Sequence, residues 1–402
     1  MLKILQVHNR YVWSPGGEIS VLEAEADLLR EYGHDVHQFF VDNKDEDSEV
    51  GLAGKLRLGK NVVWSHESYG RIREAIAQYR PDIVHVHNFF VHISPSVYKA
   101  CNDEGVAVVQ TLHNFRTCCA EANLLRDNRP CQDCIGKFPV PALKHRCYRG
   151  SLLATLPLVA MQQVNRWNGS FTERVDGYIV LSEFAKEIFV RSGLPEEKIH
   201  IKANFAADSG TGAKKRENRF VFVGRIVEEK GPEVMVDAWM KAQPKGWTCH
   251  MLGEGDLRDG LMEKSKDCPS LIWHGWVKKE EVEELVRTSK FMTMSSVCYE
   301  GCPLALIEAL SFGTPGVIPN HGPMPEIAQA DEIGLSFQAT NSDSMAEVLT
   351  AAANMPDEEW NRRSIAARSR FESNYTASRN YQQLIHIYEK TIESARESGH
   401  VR

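Results

Sequence analysis

No stretch of this 402-residue chain reaches the ~18–20 apolar residues that a membrane-spanning helix needs. Positive charge is not in excess: 47 Lys and Arg against 54 Asp and Glu leave a net charge of −7, which argues against a dedicated nucleic-acid binder. The opening residues, MLKILQVHNR, carry one lysine and only a short apolar core, too little for a signal peptide, and they look like a first β-strand. A cytoplasmic location is therefore expected, with no nucleic-acid partner. In a reducing compartment, the ten cysteines call for something other than a disulfide framework. No strand candidate ends on an Asp-x-Asp, so a catalytic divalent cation is not expected. What remains is a soluble chain, 43% hydrophobic and 25% charged, long enough for two or three domains.

Short β-rich runs alternate with helical ones. KILQVHN (3–9), DVHQFFV (35–41), DIVHVHN (82–88), VAVVQTLHN (106–114), GYIVLS (177–182) and IHIKAN (199–204) are the strands expected in the first half. The polar, basic TGAKKRENR (211–219) reads as a linker. RFVFVGR (219–225), TCHMLGEG (248–255), LIWHGW (271–276), FMTMSS (291–296) and PGVIPN (315–320) follow, before a helical tail. Strands separated by helices imply parallel sheets, and hence an α/β chain of two doubly wound domains. Ligands of such sheets sit beyond the carboxyl ends of the strands, and two halves facing each other would share a central cleft.

Three groups of residues there suit a nucleotide sugar. In VGRIVEEKG (223–231), Arg225 and Lys230 follow a strand end and precede a helix that opens on Gly231-Pro232, a setting for a diphosphate. In EGCPLALIE (300–308), Glu300 precedes a helix expected from Pro303. The free N–H groups of Leu304 and Ala305 would face an anion, and Glu308 lies further into the helix. Carboxylates at both ends suit sugar hydroxyls, leaving the helix start for phosphate. Gly16 and Gly17, in SPGGEIS (14–20), permit close backbone approach to a ligand after the first strand. Each group alone is also explained by a turn, a solvated charge or a helix cap.

Together these residues resemble the retaining GT-B glycosyltransferases of family four (glycosyl transferases group 1), of the bacterial polysaccharide and glycolipid type. The match carries Gly-Gly after strand one, the histidine of TLHN, Arg-x4-Lys-Gly and Glu-x7-Glu in that order along nearly the whole chain. The resemblance implies a GT-B fold of two Rossmann-like domains. Residues 1–205 would bind the acceptor, with a Cys-rich insertion at about 117–150. Residues 206–376 would bind the donor, and a helix in 377–402 would cross back to the first domain. It also implies a hexosyltransferase in cell-surface polysaccharide biosynthesis. Such an enzyme would move sugar from a UDP-sugar or GDP-mannose to a saccharide or polyprenyl-diphosphate-linked acceptor. Glu300 would face the donor sugar, Glu308 the ribose, and Arg225 and Lys230 the departing diphosphate. Gly16 and Gly17 would close on the donor phosphate, His113 would stand near the reacting carbon, and Gly275 with Trp276 near the base. Asn204 stands where the family has a Pro-Asn-Gly turn, but its neighbours here are Ala203 and Phe205. No residue is an obvious nucleophile, so same-face attack is expected, with no cofactor required. A GT-B nucleotide-sugar epimerase and a non-catalytic nucleotide-sugar-binding protein are the alternatives.

Two further features concern the first half. Cys119, Cys131, Cys134 and Cys147 form Cys-x11-Cys-x2-Cys-x12-Cys in a loop with little core of its own, a set that suits a structural zinc ion as well as it suits scattered thiols. From Cys134 to Thr172 there is no acidic residue. SLLATLPLVAMQQVNRW (151–167) has apolar residues at roughly helical spacing. Residues 135–170 thus suit either the inner face of an anionic membrane or a core helix kinked at Pro157.

Overall fold

The computed structural model describes residues 1–11, 17–43, 51–213, 215–329, 332–399 and 401. The chain groups into two compact units: residues 1–123, 132–202 and 381–402 form one, and residues 124–131 and 203–380 the other.

The first unit is built on β1 (Lys3–Tyr11), β2 (Asp35–Asn43), β3 (Ile83–Asn88) and β4 (Ala107–Thr111). A two-stranded hairpin, β5 (Leu125–Arg126) and β6 (Arg129–Pro130), precedes β7 (Gly177–Val180) and β8 (Ile199–Ile201) in the chain and is grouped with the second unit. The six-stranded sheet runs β2-β1-β3-β4-β7-β8, parallel at every pairing. Strand order reverses between β1 and β3, which makes the carboxyl ends of those strands the switch point where such sheets hold ligands. β3 and β4 are buried at every residue, as parallel strands covered on both faces must be. The helix Gly17–Glu31 packs Val21, Leu22, Ala26 and Leu29 inward. The last helix, Ala377–Glu397, adds Leu384, Ile387, Tyr388 and Ile392 to the core around Ile4, Val109 and Ile179.

The second unit holds β9 (Glu217–Val223), β10 (Thr248–Leu252), β11 (Leu271–Gly275), β12 (Ser289–Thr293), β13 (Gly316–Pro319) and β14 (Leu335–Phe337). Its sheet runs β11-β10-β9-β12-β13-β14, again all parallel. Renumbered within the unit this is 3-2-1-4-5-6, the dinucleotide-fold order, with its switch point between β9 and β12. Phe220, Trp239, Trp247 and Phe291 form the aromatic centre of its core, with the Phe220 and Phe291 rings stacked 5.3 Å apart.

One expectation fails. The polar segment 211–219 is not a plain linker: β9 begins at Glu217, and Arg216 is fastened into the second unit. Its guanidinium donates to the carbonyls of Phe312 and Ser289 and to Thr314 Oγ1. Burial lowers its pKa to about 10. A run of basic residues gave no sign that one of them caps carbonyls at the ends of two neighbouring elements.

Candidate functional site

At the switch point of the second unit, β9 ends at Val223 and the chain turns through Glu228–Lys230 to Gly231, which has φ +59. A Cβ at Gly231 would lie 2.1 Å from the carbonyl oxygen of Ser295, so only glycine fits. Pro232 then opens the helix Pro232–Ala242. This tight turn delivers Lys230 to the carboxyl end of β12, where its Nζ donates to both oxygens of Glu300, at 2.6 and 2.9 Å. Ser296 Oγ donates to the same carboxylate, and the Ser296 carbonyl lies 3.0 Å from His321 Nε2. Burial alone would push the Glu300 carboxyl up. The Lys230 charge and the hydrogen bonds from Lys230 and Ser296 outweigh it, so Glu300 is held below the usual carboxylate range. Lys230 is raised in turn, burial being overcome by Glu300. The two predicted residues form one half-buried, ionised pair.

The helix Leu304–Ser311 starts immediately beyond, with Pro303 at its N-cap and no side chain capping it. Its first intrahelical N–H bonds come from Leu306 and Ile307 to the Pro303 carbonyl, and the Leu304 and Ala305 N–H groups have no partner among the described residues. Asn204 Nδ2 donates to the Cys302 carbonyl at 2.8 Å and so holds the loop that leads into this helix. Glu308 is half-buried, and its carboxyl is pushed up, chiefly by burial. Arg225 is exposed and donates to Glu229 at 2.7 Å. Gly275 ends β11 at φ +69, and the exposed Trp276 donates its N–H to Glu254 Oε1. Lys230, Glu300, Leu304 and Ala305 are thus brought together around one switch point. Ser296, His321 and Glu254 were missed by the sequence reasoning; only their positions just beyond strand ends could have flagged them.

In the first unit, Gly17 begins the helix Gly17–Glu31, and Gly16 lies outside the described residues. His113, just past β4, has its Nε2 3.0 Å from His87 Nδ1, and the two rings stack. His87 follows from the HVHN of β3, and its Nε2 lies 3.9 Å from Glu25 Oε2. Glu25 in turn forms a buried ion pair with Lys202. His85 lies tilted against His87, ring centroids 4.0 Å apart, and is hydrogen-bonded to Tyr388 Oη and Thr111 Oγ1, both at 2.7 Å. Burial keeps all these imidazoles neutral: His113 is lowered to about 3, and His85 and His87 well below their usual value. His8, on β1, is lowered to about 4, and its Nδ1 stands 3.8 Å from Glu18 Oε1. Glu25, His85 and His87 offer three ligand atoms within 4.8 Å of one another. The Lys202 ammonium already occupies Glu25, however, and both His85 nitrogens are engaged, so this is a hydrogen-bond network and a poor cation site. Cys119, Cys131, Cys134 and Cys147 are half-buried thiols outside any disulfide.

Two family models match: Glycosyltransferase Family 4 over residues 15–206 and Glycosyl transferases group 1 over residues 205–370. Among curated proteins, the chain is 28% identical over 159 residues to an uncharacterized glycosyltransferase of Methanocaldococcus jannaschii, covering 38% of each. It is 25% identical over 230 residues to the amylovoran biosynthesis glycosyltransferase AmsK of Erwinia amylovora, covering 52% of this chain and 55% of that one. It therefore spans about half or less of the length of these two relatives. Among solved structures, Anabaena HepE in complex with UDP and glucose superposes with a TM-score of 0.65 at 14% identity, over 96% of this chain and 99% of that one. The lipopolysaccharide outer core galactosyltransferase WaaB gives 0.62 at 16%, over 99% and 100%. With matching models from residue 15 to residue 370 and two Rossmann-like sheets, the chain belongs to the GT-B glycosyltransferases of family four, glycosyl transferases group 1.

Proposed function

We propose that this protein transfers a hexose from a nucleotide-diphosphate donor to a saccharide or lipid-linked saccharide acceptor in cell-surface polysaccharide synthesis, with retention of anomeric configuration. The observation that carries the proposal is the Lys230–Glu300 pair beside the open N–H groups of Leu304 and Ala305 at the β9/β12 switch point. Breaking the sugar–phosphate bond puts positive charge on the sugar and negative charge on the leaving diphosphate. Lys230, Arg225 and the helix start would stabilise the diphosphate. Glu300, kept ionised, would accept bonds from donor-sugar hydroxyls and face the cationic sugar. Glu308 would accept from the ribose, and Trp276 would cover the base. The donor phosphate would take the acceptor's proton as the new bond forms on the same face. HepE holding UDP and glucose, on the same fold, supports a UDP-sugar as the first donor to try.

Charged hydrogen bonds of the ribose type contribute about 1.5–3 kcal/mol each. Glu308→Ala is therefore expected to weaken nucleotide binding about 10- to 100-fold. The check is calorimetric titration with UDP, GDP and ADP and their sugars. One base should bind wild type well and the variant poorly. No binding of any of them to wild type would leave the donor assignment without support.

The acceptor surface belongs to the first unit. The helix Leu152–Trp167 runs through Pro157 unbroken and buries Thr155, Leu158, Val159 and Met161, while Leu152, Leu153, Leu156, Val164 and Trp167 remain exposed. The helix Leu52–Val63 packs beside it, with Gly59 against Pro157, and adds exposed Leu56 with Lys55, Arg57 and Lys60. Lys137, Lys144, Arg146 and Arg149 are exposed nearby in sequence. Among the described residues no helix is long and apolar enough to cross a membrane. Leucines and a tryptophan set among basic residues suit an anionic bilayer surface bearing a lipid-linked acceptor. The protein is expected to co-sediment with vesicles containing phosphatidylglycerol, to be released by salt, and to lose binding in Leu153→Asp/Leu156→Asp. Equal binding to neutral vesicles, or no binding, would remove the membrane from this account. A structural, not catalytic, zinc ion on Cys119, Cys131, Cys134 and Cys147 belongs to the same proposal on residue type and spacing alone.

A further inference from the structure

We infer that the buried Glu25–Lys202 pair is a positioning device that fixes which nitrogen of His113 carries its proton, through His87. The chain of contacts is short. Lys202 holds one oxygen of Glu25. The other oxygen, Oε2, has no hydrogen-bond partner among the described residues, and it faces His87 Nε2, which has none either, across 3.9 Å. His87 Nδ1 meets His113 Nε2 at 3.0 Å. Each imidazole is neutral and carries one proton. If His87 bore it on Nδ1, its bare Nε2 lone pair would point at a carboxylate lone pair in a buried setting, and nothing would offset the repulsion. With the proton on Nε2, the N–H dipole points at the carboxylate, and His87 Nδ1 becomes an acceptor. The 3.0 Å contact then requires His113 to donate from Nε2. His113 Nδ1 is left bare, without a partner among the described residues.

His113 thus presents an acceptor, suited to a hydroxyl of the sugar or of the acceptor, and is not set up as an acid. Glu25 and Lys202 act on it at one remove, because Glu25 touches His87 and not His113. His85 completes the support: with both nitrogens bonded to Tyr388 and Thr111, it is held in place against the His87 ring, tilted, with centroids 4.0 Å apart. A buried ion pair is a poor source of stability compared with apolar side chains of the same size, so its presence under a histidine network calls for another role. This inference rests on His113 serving the sugar-transfer site, but its test does not.

The test uses full-length protein labelled with 15N-histidine, in which the ring-nitrogen shifts report each tautomer directly. His87→Asn and His113→Asn variants assign the signals. In wild type at pH 7.5, His87 and His113 are both expected as the Nε2–H form. In Glu25→Gln, the new amide oxygen would still accept from Lys202, which turns its NH2 group toward His87 Nε2. His87 should then switch to Nδ1–H and His113 to Nδ1–H. Glu25→Leu/Lys202→Met removes both charges without leaving either one buried alone, and keeps the test available if the single variant does not fold; mixed tautomers are expected there. Transfer by Glu25→Gln should fall about tenfold or more in kcat with little change in donor KM. An Nδ1–H form of His113 in wild type, or unchanged tautomers in the folded variants, would overturn the inference. Correct tautomers in a protein without transferase activity would instead count against the proposed function alone.

Discussion

Lys230→Ala is expected to lower sugar transfer by about 10²–10³-fold, the usual effect of removing one well-placed group that stabilises a developing anion. The variant should also be less stable, because the half-buried Glu300 would lose its ammonium partner and keep, among the described residues, Ser296. Its carboxyl, no longer held down by the ammonium, would rise with burial. Two further variants separate the effects. Lys230→Ala/Glu300→Gln removes the orphaned charge and should recover much of the melting temperature without recovering activity. Glu300→Gln alone should keep nucleotide affinity while losing turnover, since its carboxylate is assigned to the sugar and not to the phosphates. Activity restored together with stability in the double variant would mean that Lys230 serves only the fold. Steady-state kinetics beside thermal unfolding of the same samples makes the comparison.

Mild acid should destabilise the protein steeply. His8, His85, His87 and His113 all have folded pKa values below the usual 6.5, and burial also lowers His200, His250 and His321. A histidine lowered in the folded state binds more protons when unfolded. Stability therefore rises with pH between about 4 and 6.5 and is lost as pH falls through that window. Glu18, raised to about 8 by burial, and Glu308, also raised, act in the opposite sense, because there the folded state holds the proton. The lowered histidines outnumber the two raised carboxylates, so the net dependence keeps the sign set by the histidines, each contributing at most about 1.4 kcal/mol per pH unit. Denaturant unfolding at pH 7.5, 6.5, 5.5 and 4.5 should show the loss begin near pH 6.5. His113→Asn and His8→Asn should each reduce the slope. A flat profile across that range would mean that these imidazoles are not buried neutral.

Much of this was legible in the chain because parallel sheets write themselves plainly. Short β-rich runs such as DIVHVHN and RFVFVGR mark strands, and helices between them leave few topologies. Lys230 and Glu300 were found because a turn glycine and a helix-opening proline fixed where the adjacent strands had to end. Glu25 and Lys202 were not found. They lie 177 residues apart, and Glu25 sits in LEAEADLLRE, where an acidic helix surface is the ordinary expectation. Its periodicity held the clue: Val21, Leu22, Glu25, Ala26 and Leu29 share the buried stripe, while Glu23 and Asp27 lie outside it. A charge on an apolar stripe implies a buried partner, but not its position in the sequence. Arg216 escaped notice for the opposite reason. A basic run between two domains looks solvated, and only the folded neighbours reveal the carbonyls that one of its members serves. The apolar helix 152–167 was read on its own. Its companion Leu52–Val63, with basic residues and an exposed leucine of its own, became part of the surface only through packing.

Product analysis tests the central claim most directly. The purified protein is incubated with the nucleotide sugar that it binds and with a polyprenyl-diphosphate-linked saccharide, and the products are followed by mass spectrometry and by NMR of the anomeric proton. The account predicts a sugar added to the acceptor, free nucleoside diphosphate in equal amount, the donor's anomeric configuration retained, and about 10²–10³-fold less product with Lys230→Ala. A donor converted to its epimer, or bound and left unchanged with every acceptor offered, would contradict it.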